Sequence, residues 1–394
     1  MEVTSKKPRI ECGEHAVPSP ENRSYYSFSE ECILFSSLAI SFSNSWLLDV
    51  LKLWTSFPNT GKPNYKTGID IINALIQYPR DVRIPPIDHG SYGVPILGEP
   101  RFEGGIRPSL AMVFRDLMKA DSTGASCNVV DFVAGLSEPE ARAEDILQSW
   151  TYALSADKWA PHMRLFGALD IPFHPSGMGR CGIIASPYES DPTTSFNKKV
   201  KWVKSWSTGI VPPGSITHTH SDGFGCSQYM VHLMGKKLWL FWPPTQLNME
   251  FYRLHVFKRV ETLTLESIGK LEGLQVHYMD ETMSAFVVPP NYLHAVLTIA
   301  GSTHCGITFY ALSDFPEAVR IMKWFLNFAK DFSSTGNTAR DACDITEKLL
   351  EEGVSWFEEI IRVNKADPRT RKMKVEIEDI KTEANELLTT LKSL

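Results

Sequence analysis

Residues 126–312 read as a mainly β core, a double-layered antiparallel jelly roll of the double-stranded β-helix kind. It is expected between a helical N-terminal region over 29–125 and a helical C-terminal region over 313–394, after a disordered tail over 1–28. Three observations predict this. From Ile210 to Tyr310, short β-rich segments such as Lys237–Trp242, Ala285–Val288 and Ile307–Leu312 alternate with Pro and Gly turns, the pattern of stacked antiparallel sheets. On either side the apolar residues change to helical spacing. Ahead of both lies a polar stretch punctuated by Pro18 and Pro20, too poor in apolar residues to form a core.

Taken in order, Trp46, Leu47, Val50, Leu51 and Trp54 fall at helical intervals, and Ile69, Ile71, Ile72, Leu75 and Ile76 do so again, predicting two helices between Glu30 and Gln77. Tyr78–Arg107 is rich in Pro and Gly and predicts a loop or a set of short strands, followed by a helix around Pro108–Lys119. Gly177-x-Gly179-x-x-Gly182 has the spacing of a dinucleotide fingerprint. That fingerprint needs a strand before it and a helix after it, and Pro172, Pro175 and the IIASPY run supply neither. Asn197–Trp206 mixes four lysines with two tryptophans and reads as an edge strand whose charges oppose aggregation, with a basic-aromatic surface for an acidic partner as the alternative. Ser313-Asp314, with Pro316 and Glu317, starts a helix that continues to about Phe332, and a second is expected over Asp341–Asn364. After Pro368, Ile377, Ile380, Ala384, Leu387, Leu391 and Leu394 alternate spacings of three and four, an a/d stripe under three heptads long. It is expected to pack on the body, with a homodimer contact through this helix as the alternative.

Composition excludes several classes. The 394 residues allow a large core, and 43% hydrophobic with 22% charged residues is ordinary for a globular chain. Forty basic against 46 acidic residues give a net charge of −6, so there is no strong nucleic-acid signal and any chromatin contact would have to be local. The seven cysteines are scattered, odd in number and form no Cys-x-x-Cys pair, which argues for a reducing compartment and against a disulfide framework or zinc finger. The first residues, MEVTSKKPRIEC, lack the apolar core of a signal peptide, so secretion is not expected. Lys6-Lys7-Pro8-Arg9 is a short basic run of the kind nuclear import uses, although such runs are commonly solvated tails, and the expected location is nucleus or cytoplasm. Cys32–Trp54 is the most membrane-like segment, but Asn44, Asp49, Lys52 and five serines interrupt it, so buried helices are expected and no membrane contact.

The chemistry concentrates between Thr217 and Lys237 and again at Val287–Thr298. His220 and Asp222 stand two apart, so on a strand their side chains leave one face. His294, behind Pro289-Pro290 and inside an apolar run, is suited to a neighbouring strand. Two imidazoles and a carboxylate on one face of an octahedral ion leave three positions open, which suits non-haem Fe(II) oxygenase chemistry. An isolated His-x-Asp means little; what counts is its combination with His294 and with Lys237, fifteen residues after Asp222.

His220-x-Asp222, Gly235-x-Lys237, Leu238-Trp-x-Phe-x-Pro-Pro-Thr245 and Pro289-Pro-x-x-x-His-Ala-Val296 together resemble a JmjC domain over roughly residues 200–330. Within that family the pattern is most similar to the lysine demethylases that carry a plant-homeodomain finger or an F-box. Cys127–Leu136 and Glu138–Leu154 loosely resemble the strands and helices that precede the metal motif there. The resemblance implies Fe(II) held by His220, Asp222 and His294, with 2-oxoglutarate as cosubstrate and O2 as oxidant. It implies that Lys237 pairs with the C5 carboxylate of 2-oxoglutarate, since a buried carboxylate is costly unless paired, and that Thr217 adds a second hydrogen bond to it. Thr308, fourteen residues after His294, stands where related demethylases carry asparagine, and Tyr229-Met230 where they show Trp-Tyr. The implied activity is demethylation of methyl-lysine in a histone tail or another protein or peptide substrate. The chain carries no cysteine-rich finger and no recognisable F-box, so protein hydroxylation stands close behind. A third reading is a non-catalytic scaffold: His218, His220 and Asp222 also share one face of an ideal strand, and metal-binding cupins use His-x-His in the same kind of barrel. His232, His277 and His304 are read as structural.

Overall fold

The computed structural model describes residues 45–56, 60–78, 96–98, 101–102, 109–124, 127–134, 136–137, 141–156, 158–160, 162–172, 183–184, 200–202, 207–255, 263–280, 285–311, 314–333 and 339–393. The predicted tail with Lys6–Arg9, the Gly177–Gly182 pattern and both flanks of Asn197–Trp206 lie outside them.

Helices α1 (Ser45–Thr55) and α2 (Tyr65–Gln77) form where the apolar spacing predicts them and are joined by Trp54, fully buried, whose Nε1–H donates to the Tyr65 carbonyl at 2.9 Å. Strands β1 (Ile96–Gly98) and β2 (Arg101–Phe102) follow, then α3 (Leu110–Thr123), begun by Ser109 and ended by Gly124 in the left-handed region. Next come β3 (Asn128–Asp131), β4 (Leu136–Ser137), α4 (Ala143–Ser155), β5 (Phe166–Pro172), β6 (Ile183–Ile184), β7 (Val200–Trp202), β8 (Ser207–Val211), β9 (Ile216–His220) and the long β10 (Ser227–Trp242). Two helices, α5 (Gln246–His255) and α6 (Leu263–Lys270), then interrupt a region that the turn pattern predicts to be β. Their apolar runs are too short to show a period, and Met249, Tyr252 and Ile268 join the core only in three dimensions. Strands β11 (Gln275–Met279), β12 (Ala285–Val288) and β13 (Leu293–Ala311) close the β region, and α7 (Phe315–Ser333), α8 (Ala339–Lys348), α9 (Ser355–Val363) and α10 (Arg369–Leu391) complete the chain. The predicted single helix over Asp341–Asn364 is α8 and α9 joined by a π-helical turn, Leu349–Val354.

The core is a large antiparallel sheet flanked by helices. Among the described residues eleven strands share one sheet, ordered β1-β12-β10-β13-β8-β5-β3-β4, with β11 on β10 and with β7 and β9 on β13; β2 and β6 pair separately. Among the described residues β7 pairs with β13.

Everything turns on the β10–β13 pairing, which runs from Ser227↔Phe309 to Trp242↔Leu293 with register shifts between His232 and Lys237. These bulges divide the pair into two halves with different neighbours. Beyond them β10 takes β11 and β13 takes β9; before them β10 takes β12 and β13 takes β8. Side chains alternate strictly in the first of these halves. Leu238, Leu240, Trp242, Leu293, Ala295 and Leu297 enter the large core shared with the helices, whereas Trp239, Phe241 and Val296 face the other way. There they meet Phe286 and Val288 of the second half, with Trp239 and Phe286 ring centroids 5.0 Å apart. The two halves of the sheet therefore face each other across an aromatic interior.

The stripe on α10 is used within the chain. Met373, Ile377, Ile380, Ala384, Leu387 and Leu391 are buried against α7, α8 and α9. Among the described residues no helix is long and apolar enough to cross a membrane.

Gly235 sits in the bulge at φ +85°, and a Cβ there would come within 2.2 Å of the Gly301 carbonyl oxygen. Gly235→Ala should therefore lower the unfolding free energy by more than about 1 kcal/mol in urea denaturation; an unchanged midpoint would contradict this backbone geometry.

Candidate metal centre

The site begins with a mismatch between two strands. β9 pairs with β13 so that His220 opposes His294 and Thr217 opposes Val296. Three residues of β9 thus span two of β13, a β-bulge. On an ideal strand Thr217 and His220 would point to opposite faces; the extra residue brings both to the inner face that Val296 and His294 occupy. The same bulge removes His218 from the cluster. Its Nδ1 lies 3.0 Å from the hydroxyl of Thr264 on α6, which also accepts the Thr219 N–H at 3.2 Å. Burial, with His220 beside it, holds the His218 imidazole down to about 4 and hence neutral. The constellation of His218, His220 and Asp222 as joint ligands, which the scaffold reading used, is corrected accordingly.

His220, Asp222 and His294 converge. Their ligand atoms lie within 4.8 Å of one another, with His220 Nε2 at 3.4 Å from Asp222 Oδ1 and His294 Nε2 at 3.1 Å from Asp222 Oδ2. Two ligands about 2.1 Å from a common ion and at right angles are about 3.0 Å apart, so this spacing fits an octahedral face. Each imidazole is oriented from behind. His220 Nδ1 is 2.8 Å from the His218 carbonyl and His294 Nδ1 is 3.2 Å from the Tyr292 carbonyl. A carbonyl only accepts, so each Nδ1 carries the proton and each Nε2 turns its lone pair to the cluster.

The three groups are also coupled electrostatically. Burial alone would raise the Asp222 carboxyl, but His294 and His220 outweigh it and hold Asp222 well below the usual carboxylate range. Burial likewise opposes protonation of His220, and Asp222 overrides it and raises His220. Asp222 lies in the turn after β9, where its carbonyl faces Cys226 Sγ at 3.2 Å. The Gly225 N–H donates to Asn291 Oδ1 at 3.1 Å, and Asn291, itself in the left-handed region at φ 60°, sits in the turn that leads into His294. One amide side chain thereby ties the two ligand-bearing loops together.

Lys237 stands further along the inner face, opposite Thr298 and Met279. It is 3% exposed, its Nζ lies 3.1 Å from His304 Nδ1 and 5.6 Å from the Trp239 ring centroid, and among the described residues no carboxylate is paired with it. Burial lowers its ammonium to about 7. Trp239 in turn lies 5.8 Å from the His294 ring, so a single indole lines the interval between lysine and metal cluster. Thr308 is placed apart from these residues, opposite Gln228 in the other half of the hairpin. His304, which the sequence reads as structural, lies beside Lys237 through its Nδ1.

No protein-family model matches this chain, and no curated protein matches it. Among solved structures it is similar to a ribosomal oxygenase from Escherichia coli, YcfD, at 10% identity and a TM-score of 0.33, covering 60% of this chain and 54% of that one. A second YcfD structure, in complex with cobalt and succinic acid, gives 10% identity and a TM-score of 0.29, covering 64% of this chain and 56% of that one. The capsular polysaccharide assembling protein CapF from Staphylococcus aureus is similar over 26% of this chain and 22% of its own, at 12% identity and a TM-score of 0.18. The chain thus spans little more than half the length of the YcfD structures it matches.

Two predictions follow from this geometry. Asp222→Ala should weaken Co(II) binding, read from the visible d–d spectrum, by more than the roughly 10- to 100-fold typical of losing an outer partner of a ligand; a smaller change would remove Asp222 from the ligand set. For Lys237, the folded value of about 7 lies below the ordinary 10.5, so the unfolded chain binds more protons between those values and stability rises with pH across that window. Lys237→Met should flatten this rise in thermal melts of the ligand-free protein and stabilise it below pH 7; an equal slope in both proteins would refute the assignment.

Proposed function

We propose that this chain is an Fe(II)- and 2-oxoglutarate-dependent dioxygenase built on a double-stranded β-helix and acting on a protein or peptide. One observation carries the reading. Two histidine nitrogens and a carboxylate meet on the same inner face that holds, past Trp239, a buried lysine with no carboxylate partner among the described residues. An ammonium out of water without a counter-ion is costly, and a ligand that is anionic at one end and chelating at the other answers both features. 2-oxoglutarate has that form: its C5 carboxylate suits Lys237, and its C1 carboxylate and keto oxygen suit a metal with open positions. The resemblance to JmjC domains supports the same roles, with Thr217 as a second donor to the C5 carboxylate and Thr308 at the position of the demethylase asparagine.

When bound, iron and cosubstrate supply the oxidation, in which 2-oxoglutarate, O2 and a substrate C–H bond become succinate, CO2 and an alcohol. The residues of the chain orient and shield. His220 and His294 present Nε2 because their Nδ1 protons are committed to carbonyls, and Trp239 and Phe241 form an apolar wall beside His294. Demethylation of methyl-lysine is the finer reading, since a hydroxylated N-methyl group loses formaldehyde. Protein hydroxylation is favoured by Met230, packed against the inner cluster where those demethylases carry tyrosine, because a thioether donates no hydrogen bond to a substrate.

With Fe(II), 2-oxoglutarate, air and pooled histone and ribosomal-protein peptides, the chain should release succinate. Formaldehyde with loss of a methylene mass marks demethylation, and gain of one oxygen mass without formaldehyde marks hydroxylation. No succinate with any peptide, together with no visible charge-transfer band from anaerobic Fe(II) and 2-oxoglutarate, would replace the dioxygenase with a non-catalytic scaffold.

A further inference from the structure

We infer that His304 is a positioning residue for the dicarboxylate cosubstrate, orienting the Lys237 ammonium on the inner face. The inference rests on the dioxygenase reading and adds to it a residue that neither the metal pattern nor the family motifs contain.

The argument starts from hydrogen-bond capacity. Lys237 has three N–H donors and no acceptor. Its Nζ lies 3.1 Å from His304 Nδ1; as the ammonium Lys237 only donates, so in that form His304 receives the bond on its Nδ1 lone pair and carries its own proton on Nε2. Burial, reinforced by the charge on Lys237 and by His232, holds the His304 imidazole well below its ordinary range, which keeps that lone pair available. One of three donors is thereby fixed against β13, and the ammonium rests over Trp239 at 5.6 Å. The two remaining donors are left for an anion.

The ring itself is seated by its neighbours. His304 opposes Gly209 of β8, and a Cβ at Gly209 would come within 2.3 Å of His304 Cε1 and 2.6 Å of Nε2. The absent side chain of Gly209 is the space the imidazole occupies. On its other side His304 opposes His232, whose Nε2 lies 3.0 Å from the Gly235 carbonyl in the bulge just before Lys237. The imidazole is therefore held from two strands while it holds the lysine on a third position. A neutral acceptor on an ammonium favours the charged form over the free amine, and the charged form is the one a carboxylate binds. Loss of His304 removes both the direction and part of the charge.

The test separates the distal carboxylate from the metal end. Anaerobic titrations of the Co(II)-loaded protein compare 2-oxoglutarate with pyruvate, which chelates through the same carboxylate and keto oxygen but lacks the C5 carboxylate. For His304→Leu, 2-oxoglutarate binding should weaken about 10- to 100-fold, the range for a hydrogen bond to a charged group, while pyruvate binding stays as in the parent. His304→Asn, whose amide oxygen can stand near the lost Nδ1, should recover most of the loss, and Gly209→Ala should weaken 2-oxoglutarate selectively by displacing the ring. Equal weakening of both ligands, or none, overturns the role of His304. Failure of the unsubstituted protein to bind 2-oxoglutarate at all overturns the dioxygenase reading instead. If His304→Leu does not fold, the Asn and Gly209→Ala variants decide the same question by the same ratio.

Discussion

The antiparallel pairing of β10 with β13 is the constraint on which the rest of the molecule depends. It is long enough to belong to both halves of the sheet, and its bulges are where one half gives way to the other. Alternation along these two strands sorts residues into those that bind the helices and those that build the interior. Leu238, Leu240 and Trp242 go outward, while Lys237, Trp239 and Phe241 go inward. A shift of one residue would exchange the two sets, placing a lysine in the helical core and leucines at the metal cluster. Fold and chemistry are for this reason specified by the same register.

The second level of organisation is polar. Several buried donors and acceptors around the inner wall are given a task by a neighbour: carbonyls fix both candidate ligand imidazoles, Thr264 draws His218 away, Asn291 Oδ1 joins the two loops, and His304 meets the lysine. A buried polar group costs free energy unless it is bonded, so these contacts select one conformation among the many that an apolar interior alone would permit. They also leave, facing inward, the lone pairs of two imidazoles and the charge of one ammonium.

Much of this was legible in the sequence, for reasons tied to particular residues. Two-residue spacing paired His220 with Asp222, the Pro-Pro turn marked the entry to His294, and Gly235-x-Lys237 marked the lysine. The helical stripes of α1, α2 and α10 were read from periodicity and are buried along those stripes. What escaped depended on distant contacts or on departures from ideal geometry. The extra residue in β9 reverses the facing of Thr217 and His218 and leaves no trace in composition or spacing. α5 and α6 are too short for their period to be distinguished from that of strands. His304 acquires its partner only when β10 lies beside β13.

The excursion carrying α5 and α6 has a consequence for the integrity of the metal strand. Among the described residues β9 has β13 as its one neighbour within the sheet, and α6 lies along it, with Thr264 bonded to both His218 and Thr219. The helix thus works as a splint over the strand that carries His220. A variant shortened between β10 and β11 would remove that cover and offer backbone amides and carbonyls to a strand from another molecule, so trimming this insertion would favour self-association.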